Sequence, residues 1–152
     1  MNVYTLEYKQ TLPISLEESW EFFATPKNLS QITPKELGLT VTSKIPEKMY
    51  PGLIIKYKVS PVSFVKMNWV TEITHIEDLH YFVDEQRFGP YKFWHHKHFF
   101  KQTDNGVEIT DIVDYALPFS PLMDFMNDLM VKEKLRFIFD YRSKVLEELF
   151  PG

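Results

Sequence analysis

The stretch 82–100, FVDEQRFGPYKFWHHKHFF, constrains the fold more than any other part of the chain. It reads as two β-strands around Gly89-Pro90, and successive side chains of a strand point to opposite faces. Trp94, His96, His98 and Phe100 therefore share one face. A half-buried antiparallel strand ordinarily sets an apolar face against a charged one. A face that mixes bulky rings with two imidazoles fits the wall of a cavity better than a solid core.

The rest of the chain supplies a frame for such a wall. Val3 to Leu12 alternates as a first strand, stopped by Pro13. Ser15-Leu-Glu-Glu18 has the form of a capping box, which predicts a helix to about Ala24 with Trp20 and Phe23 inward. Pro26 suits the first position of a second short helix through Gln31. A short strand is expected at 39–43. Five strands then follow on short connections: Leu53–Ser60, Phe64–Ile76, His80–Phe88, Tyr91–Gln102 and Val107–Tyr115, an antiparallel meander. From Ser120-Pro121 to about Phe150, Leu122, Met126, Leu129, Leu135, Ile138, Val145 and Leu149 form an apolar stripe at helical spacing. Lys132-Glu133-Lys134 is expected to interrupt it as a solvated turn, and Asp140, Arg142, Lys144, Glu147 and Glu148 to form its polar face. The fold class is α+β: a curved antiparallel sheet of six or seven strands wrapped around one long C-terminal helix.

Turn chemistry predicts which residues stand opposite one another. Asn105-Gly106 as a two-residue hairpin loop pairs Phe100 with Asp111, His98 with Val113 and His96 with Tyr115. A turn at Glu77-Asp78 places Ile73 opposite Phe82, Thr71 opposite Asp84 and Trp69 opposite Gln86. A three-residue loop Gly89-Pro90-Tyr91 sets Asp84 opposite His96 and Gln86 opposite Trp94. A row Thr71, Asp84, His96, Tyr115 then crosses the inner face. Carboxylate, imidazole and phenol in reach of one another can form an acid/base unit, with Asp84 fixing the His96 tautomer and raising its pKa. The same groups can equally satisfy one another as buried polar side chains. Tyr57 and Met67 on the sheet and Met126 and Leu129 on the helix complete the expected lining.

His96 and His98 at i, i+2, with Asp111 diagonally near His98, have the donor types of a metal site. Nothing in the sequence marks residues to hold the imidazoles' other nitrogens, so the expectation is no metal and no cofactor. His95 is expected on the outer face opposite Glu85, and His75 and His80 beside a turn. No glycine-rich phosphate loop, nucleophile elbow or HExxH occurs.

Composition narrows the partners. Within 152 residues, a net charge of −4 without a basic tract argues against nucleic acid. With no cysteine, disulfides and thiolate chemistry are excluded, which is compatible with a reducing cytoplasm. No signal peptide is visible, and no apolar run approaches the roughly 20 residues needed to span a bilayer. The expectation is a cytoplasmic protein of one domain over 1–152.

Five motifs carry a family likeness: W-x-F-F-x-x-P-x-N-L-x-x-I-T-P from Trp20 to Pro34, F-x-D-x-Q-x-x-G-P from Phe82, W-x-H-x-H-x-F from Trp94, D-x-V-x-Y-x-x-P from Asp111, and F-x-Y-R from Phe139 to Arg142. Together they resemble the START-like, or SRPBCC, superfamily of helix-grip proteins. The nearest likeness is to a bacterial subgroup similar to the N-terminal part of proteins labelled cell-division inhibitors. The resemblance implies a cavity between sheet and long helix for a hydrophobic or amphipathic molecule: a lipid, an aromatic or a polyketide-like compound. It leaves open a cyclase or dehydratase using His96 as base, Asp84 as orienter and Tyr115 as proton donor. An interaction module with a vestigial cavity is the third reading. Fold alone does not decide among them.

Overall fold

The computed structural model describes residues 1–62 and 65–152, the side chain of Val62 excepted. The first strand, β1 (Tyr4–Leu12), leads into helix α1 (Leu16–Phe23), whose first turn is capped by the Ser15 hydroxyl accepting from the Glu18 amide at 3.1 Å. A 3-10 segment follows at Pro26–Ile32, with proline at its start as expected, and a further 3-10 turn at Lys35–Leu37. The strands β2 (Thr40–Val41), β3 (Leu53–Val62), β4 (Val65–Glu77), β5 (Tyr81–Phe88), β6 (Phe93–Thr103) and β7 (Gly106–Ala116) complete the sheet. The start expected for β4, at Phe64, lies outside the described residues.

The sheet has seven strands in the order β1-β7-β6-β5-β4-β3-β2, all neighbours antiparallel. Register shifts in the β4–β5 ladder fall between Val70 and Thr71 and between Ile73 and His75. Bulges of this kind bend and twist the bulged strand, and here they help curve the sheet around the helix.

The C-terminal helical stretch comprises α2 (Leu122–Met126), a π-turn at Asn127–Val131, and α3 (Lys132–Leu149). The break therefore precedes Lys132-Glu133-Lys134, which forms the first turn of α3 rather than a solvated turn. A π-turn holds one extra residue, so the apolar face is re-phased across it. That is why the expected single stripe fails. Leu122, Leu129 and Leu149 are 74%, 61% and 42% exposed, while the residues α3 buries are Leu135, Phe139 and Leu146. Burying side chains of this size contributes roughly 1.5–3 kcal/mol each.

The apolar core forms two clusters. One joins Leu12, Ile55, Phe82, Phe100 and Leu146 to Trp20 and Phe23 of α1. The other joins Trp94, Val113 and Tyr115 to Leu135 and Phe139 of α3. Trp69 packs against both.

Candidate functional site: a cavity ending in a buried histidine–aspartate–arginine cluster

The middle of the curved sheet and the C-terminal helices enclose a cavity of about 760 Å³. Its walls come from alternate positions of the strands, as period-2 geometry requires: Tyr57 and Val59 on β3, Met67, Trp69, Thr71 and Ile73 on β4. Phe82 and Asp84 on β5 and Trp94, His96 and His98 on β6 continue the wall. Met126, Leu135, Phe139 and Arg142 close it from the helical side. Trp69 and Trp94 meet edge to face, centroids 5.3 Å apart. Gln86, Phe100, Asp111, Tyr115 and Leu129, expected to contact a ligand, do not line this space. Phe100 packs on Trp20 of α1, and Leu129, within the π-turn, is exposed. Gln86 clamps the following loop, accepting from the Tyr91 amide at 3.1 Å and donating to its carbonyl at 2.7 Å.

The β5–β6 pairing matches the expectation: Asp84 stands opposite His96 and Phe82 opposite His98. Both flanking ladders are displaced by two residues, which keeps every side chain on its face but changes its neighbours. In β7, Asp111 stands opposite His98, Val113 opposite His96 and Tyr115 opposite Trp94. In β4, Ile73 stands opposite Asp84 and Thr71 opposite Gln86. The row Thr71, Asp84, His96, Tyr115 therefore does not form. Tyr115 instead donates to Asn127 Oδ1 of the π-turn at 2.6 Å, both groups fully buried. Burial raises its phenol pKa to about 12, which suits a permanent donor.

The physical reason lies in the turns. The β6–β7 loop is Asp104-Asn105, and Gly106 follows it at φ 133°, paired with Thr103. A Cβ on Gly106 would lie 2.0 Å from the Leu12 carbonyl oxygen. This glycine serves the close approach of β1's end rather than the centre of a two-residue hairpin loop. The β4–β5 connection carries Leu79 at φ 67°, a left-handed position rare for such a residue, and pairs Glu77 with Tyr81.

The displacement assembles a different cluster. His96 Nε2 bonds Asp111 Oδ1 at 2.8 Å, and His98 Nε2 bonds Asp84 Oδ2 at 2.5 Å. The two bonds run diagonally across neighbouring strands. The His98 Nδ1 lies 3.3 Å from Asp111 Oδ1, and the imidazole rings stack at 3.7 Å between centroids. Phe82 stacks on the far side of His98 at 4.0 Å. Arg142 of α3 reaches Asp111 Oδ1 with Nη1 at 3.5 Å, and its Cζ sits 5.0 Å over Phe139.

Electrostatics separate the two histidines. Burial and the adjacent His98 charge push the His96 pKa down against the pull of Asp111, the reverse of the sequence expectation. For His98 burial also opposes charge, but the hydrogen bonds to Asp111 and Asp84 outweigh it and raise the pKa. Burial likewise opposes both carboxylates. His98 nevertheless holds Asp84 low, and His96, His98 and Arg142 hold Asp111 well below the usual range. Two carboxylates, one guanidinium and a protonated His98 form a neutral set, as a buried cluster requires.

Arg142 and Asn127 were missed in the sequence. Arg142 had been assigned to the polar face of the helix, yet Leu135, Phe139, Arg142 and Leu146 share one face at spacings of four, three and four. Centring the stripe on those residues would have placed an arginine inside. On the outer face Lys97 pairs diagonally with Asp114 at 3.1 Å, and His95 stands opposite Glu85, the latter as expected.

No family model matches the chain, and no curated protein matches it. Solved structures do. Protein CV1439 from Chromobacterium violaceum aligns with a TM-score of 0.74 at 13% identity, over 97% of this chain and 98% of that one. Ara h 8.0201 aligns at TM-score 0.62 and 17% identity, over 97% and 99% of the two chains. A point mutant of Thalictrum norcoclaurine synthase, in complex with a transition-state analogue, aligns at 0.66 and 13%, over 97% and 96%. The fold is the helix grip. Identities this low carry the fold and not the chemistry.

Proposed function

We propose that this helix-grip protein binds a hydrophobic or amphipathic small molecule, of the lipid, aromatic or polyketide-like classes, between sheet and C-terminal helices. The observation that carries the reading is the cavity itself. At about 760 Å³ it lies within the range of small-molecule sites and is walled mainly by aromatic, aliphatic and methionine side chains. Among the polar groups of the lining, Asp84, His96, His98 and Arg142 form one cluster that would orient a ligand's polar atoms. Met123, Met126 and Met130 on the helical side suit a wall that adapts to ligand shape. No helix among the described residues is long and apolar enough to cross a membrane. A cytoplasmic location and kinship with the bacterial subgroup belong to the same proposal. The space left beside Trp69 and Trp94 speaks against a vestigial cavity.

Native mass spectrometry of the purified chain, followed by displacement of a fluorescent fatty acid across a panel of lipids and aromatics, tests the reading. A bound species of one copy per chain, displaced by panel members, is expected. A chain that carries nothing and takes up nothing from the panel would overturn it.

One observation favours a second reading, proton-transfer catalysis of the cyclase or dehydratase kind. His96 faces the cavity, and burial holds it neutral, as a general base requires. Tyr115 has no part in this version, because its hydroxyl is bound to Asn127. Turnover of a panel compound that survives His96→Ala unchanged would remove it.

A further inference from the structure

We propose that Asp84, His96 and His98 form a mononuclear site for a divalent transition-metal ion at the polar end of the cavity, with Asp111 as the residue that fixes both imidazoles. The inference reverses the sequence expectation of no metal, and four observations carry it.

The first is donor geometry. One donor atom from each of Asp84, His96 and His98 lies within 4.8 Å of the other two. Two imidazoles and a carboxylate are a donor set that zinc and non-haem iron sites use, at bond lengths of about 2.0–2.2 Å. The Asp84 Oδ2 is 2.5 Å from His98 Nε2 and 3.8 Å from His96 Nδ1, so an ion among them needs the tighter pair to open by only a fraction of an ångström.

The second is what holds the other nitrogens. His96 binds Asp111 through Nε2 and leaves Nδ1 toward Asp84; His98 meets Asp111 through Nδ1 and leaves Nε2 toward Asp84. A metal-binding imidazole characteristically gives its second N–H to a carboxylate or carbonyl. Here one carboxylate serves both rings, and Arg142 holds that carboxylate in turn. Asp111, the third donor that the sequence offers beside His96 and His98, takes this outer place through the two-residue displacement of β7, and Asp84 stands on the cavity side.

The third is an unmade bond. At 3.8 Å from Asp84, His96 Nδ1 lies beyond hydrogen-bond distance of the carboxylate it faces. With Nε2–H given to Asp111, Nδ1 of a neutral His96 presents a lone pair to that carboxylate, two acceptors with no proton between them and a cation able to bridge them. The fourth is charge. The carboxylates of buried Asp111 and partly buried Asp84 meet one permanent cation, Arg142; the proton on His98 balances the remaining charge without an ion, and a bound cation would take that proton's place.

Asp84, His96 and His98 all line the cavity, so positions on the ion would stay open toward whatever occupies it. A ligand bearing a carboxylate, carbonyl or enolate oxygen could then take one of them.

Cobalt(II) and zinc(II), each alone, are the probes. The full chain is freed of metal with a chelator and titrated with cobalt(II), followed by visible absorption and by metal analysis after desalting. One equivalent per chain is expected, with absorption of imidazole-bound cobalt, displaced by one equivalent of zinc. His98→Ala and Asp84→Asn should lose the site. Asp111→Asn should keep the spectrum with affinity weaker by roughly 10–100-fold. His95→Ala, on the opposite face, should behave as wild type. No saturable uptake by the wild-type chain overturns the proposal, whatever the variants do, and so does uptake by folded His98→Ala equal to wild type. The titration contains no organic ligand, so its outcome is separate from the failure or success of the apolar-ligand reading.

Discussion

At the scale of single residues, Tyr115 is a strut. Its hydroxyl ties β7 to the π-turn through Asn127 with no solvent exposure. Tyr115→Phe would leave the Asn127 oxygen buried without its donor, at a cost of about 1–2 kcal/mol in urea unfolding. Displacement of a fluorescent fatty acid should be unaffected, because Tyr115 does not line the cavity. A loss of binding with unchanged stability would return it to the site. Residue identity made much of this region legible: ionisable groups alternating with rings in Trp94 to Phe100 announced an inner face, and His96 and His98 do line a cavity. Partners were harder to read. Asp111 and Arg142 join the cluster through register and helix phase, neither of which a residue type reveals.

At the scale of elements, turns decide register. Gly106→Ala would put a methyl into the Leu12 carbonyl and force a strained φ, so the end of β1 or the turn must shift. A loss of at least about 2 kcal/mol is expected by thermal or chemical unfolding. A neutral result would mean that the hairpin register is set elsewhere. On the outer face, Asp114 accepts from the Thr5 hydroxyl and pairs with Lys97. Burial opposes its charge, but these partners prevail and lower its pKa in the folded state. A carboxylate lowered by folding stabilises above its unfolded pKa and loses that contribution as pH falls through the folded value. Asp114→Asn should therefore cost about 0.5–1 kcal/mol at neutral pH, and the difference from wild type should close in acid once the native carboxylate is protonated. A difference independent of pH would contradict the assignment. Strand order, the capping box at Ser15 and the β5–β6 pairing were readable because local chemistry fixes them. Both two-residue displacements lie beside turns where Leu79 or Gly106 adopts positive φ, and at Gly106 the close approach of the Leu12 carbonyl is a tertiary contact. The π-turn at Asn127–Val131 re-phased the last helix for the same reason: Asn127 had a buried partner to reach.

At the scale of the whole molecule, two apolar clusters joined through Trp69 both contribute to the cavity wall, which also carries the charged cluster of Asp84, His96, His98 and Arg142. The most direct measurement is calorimetric titration of a fluorescent fatty acid into the wild-type chain and into a Val59→Phe/Met126→Trp variant. Both substituted positions line the cavity. One ligand per wild-type chain is expected, with affinity in the filled variant lower by at least about tenfold, ~1.4 kcal/mol, while the fold is retained. Equal affinity in both proteins would place the ligand elsewhere on the molecule and contradict a functional interior.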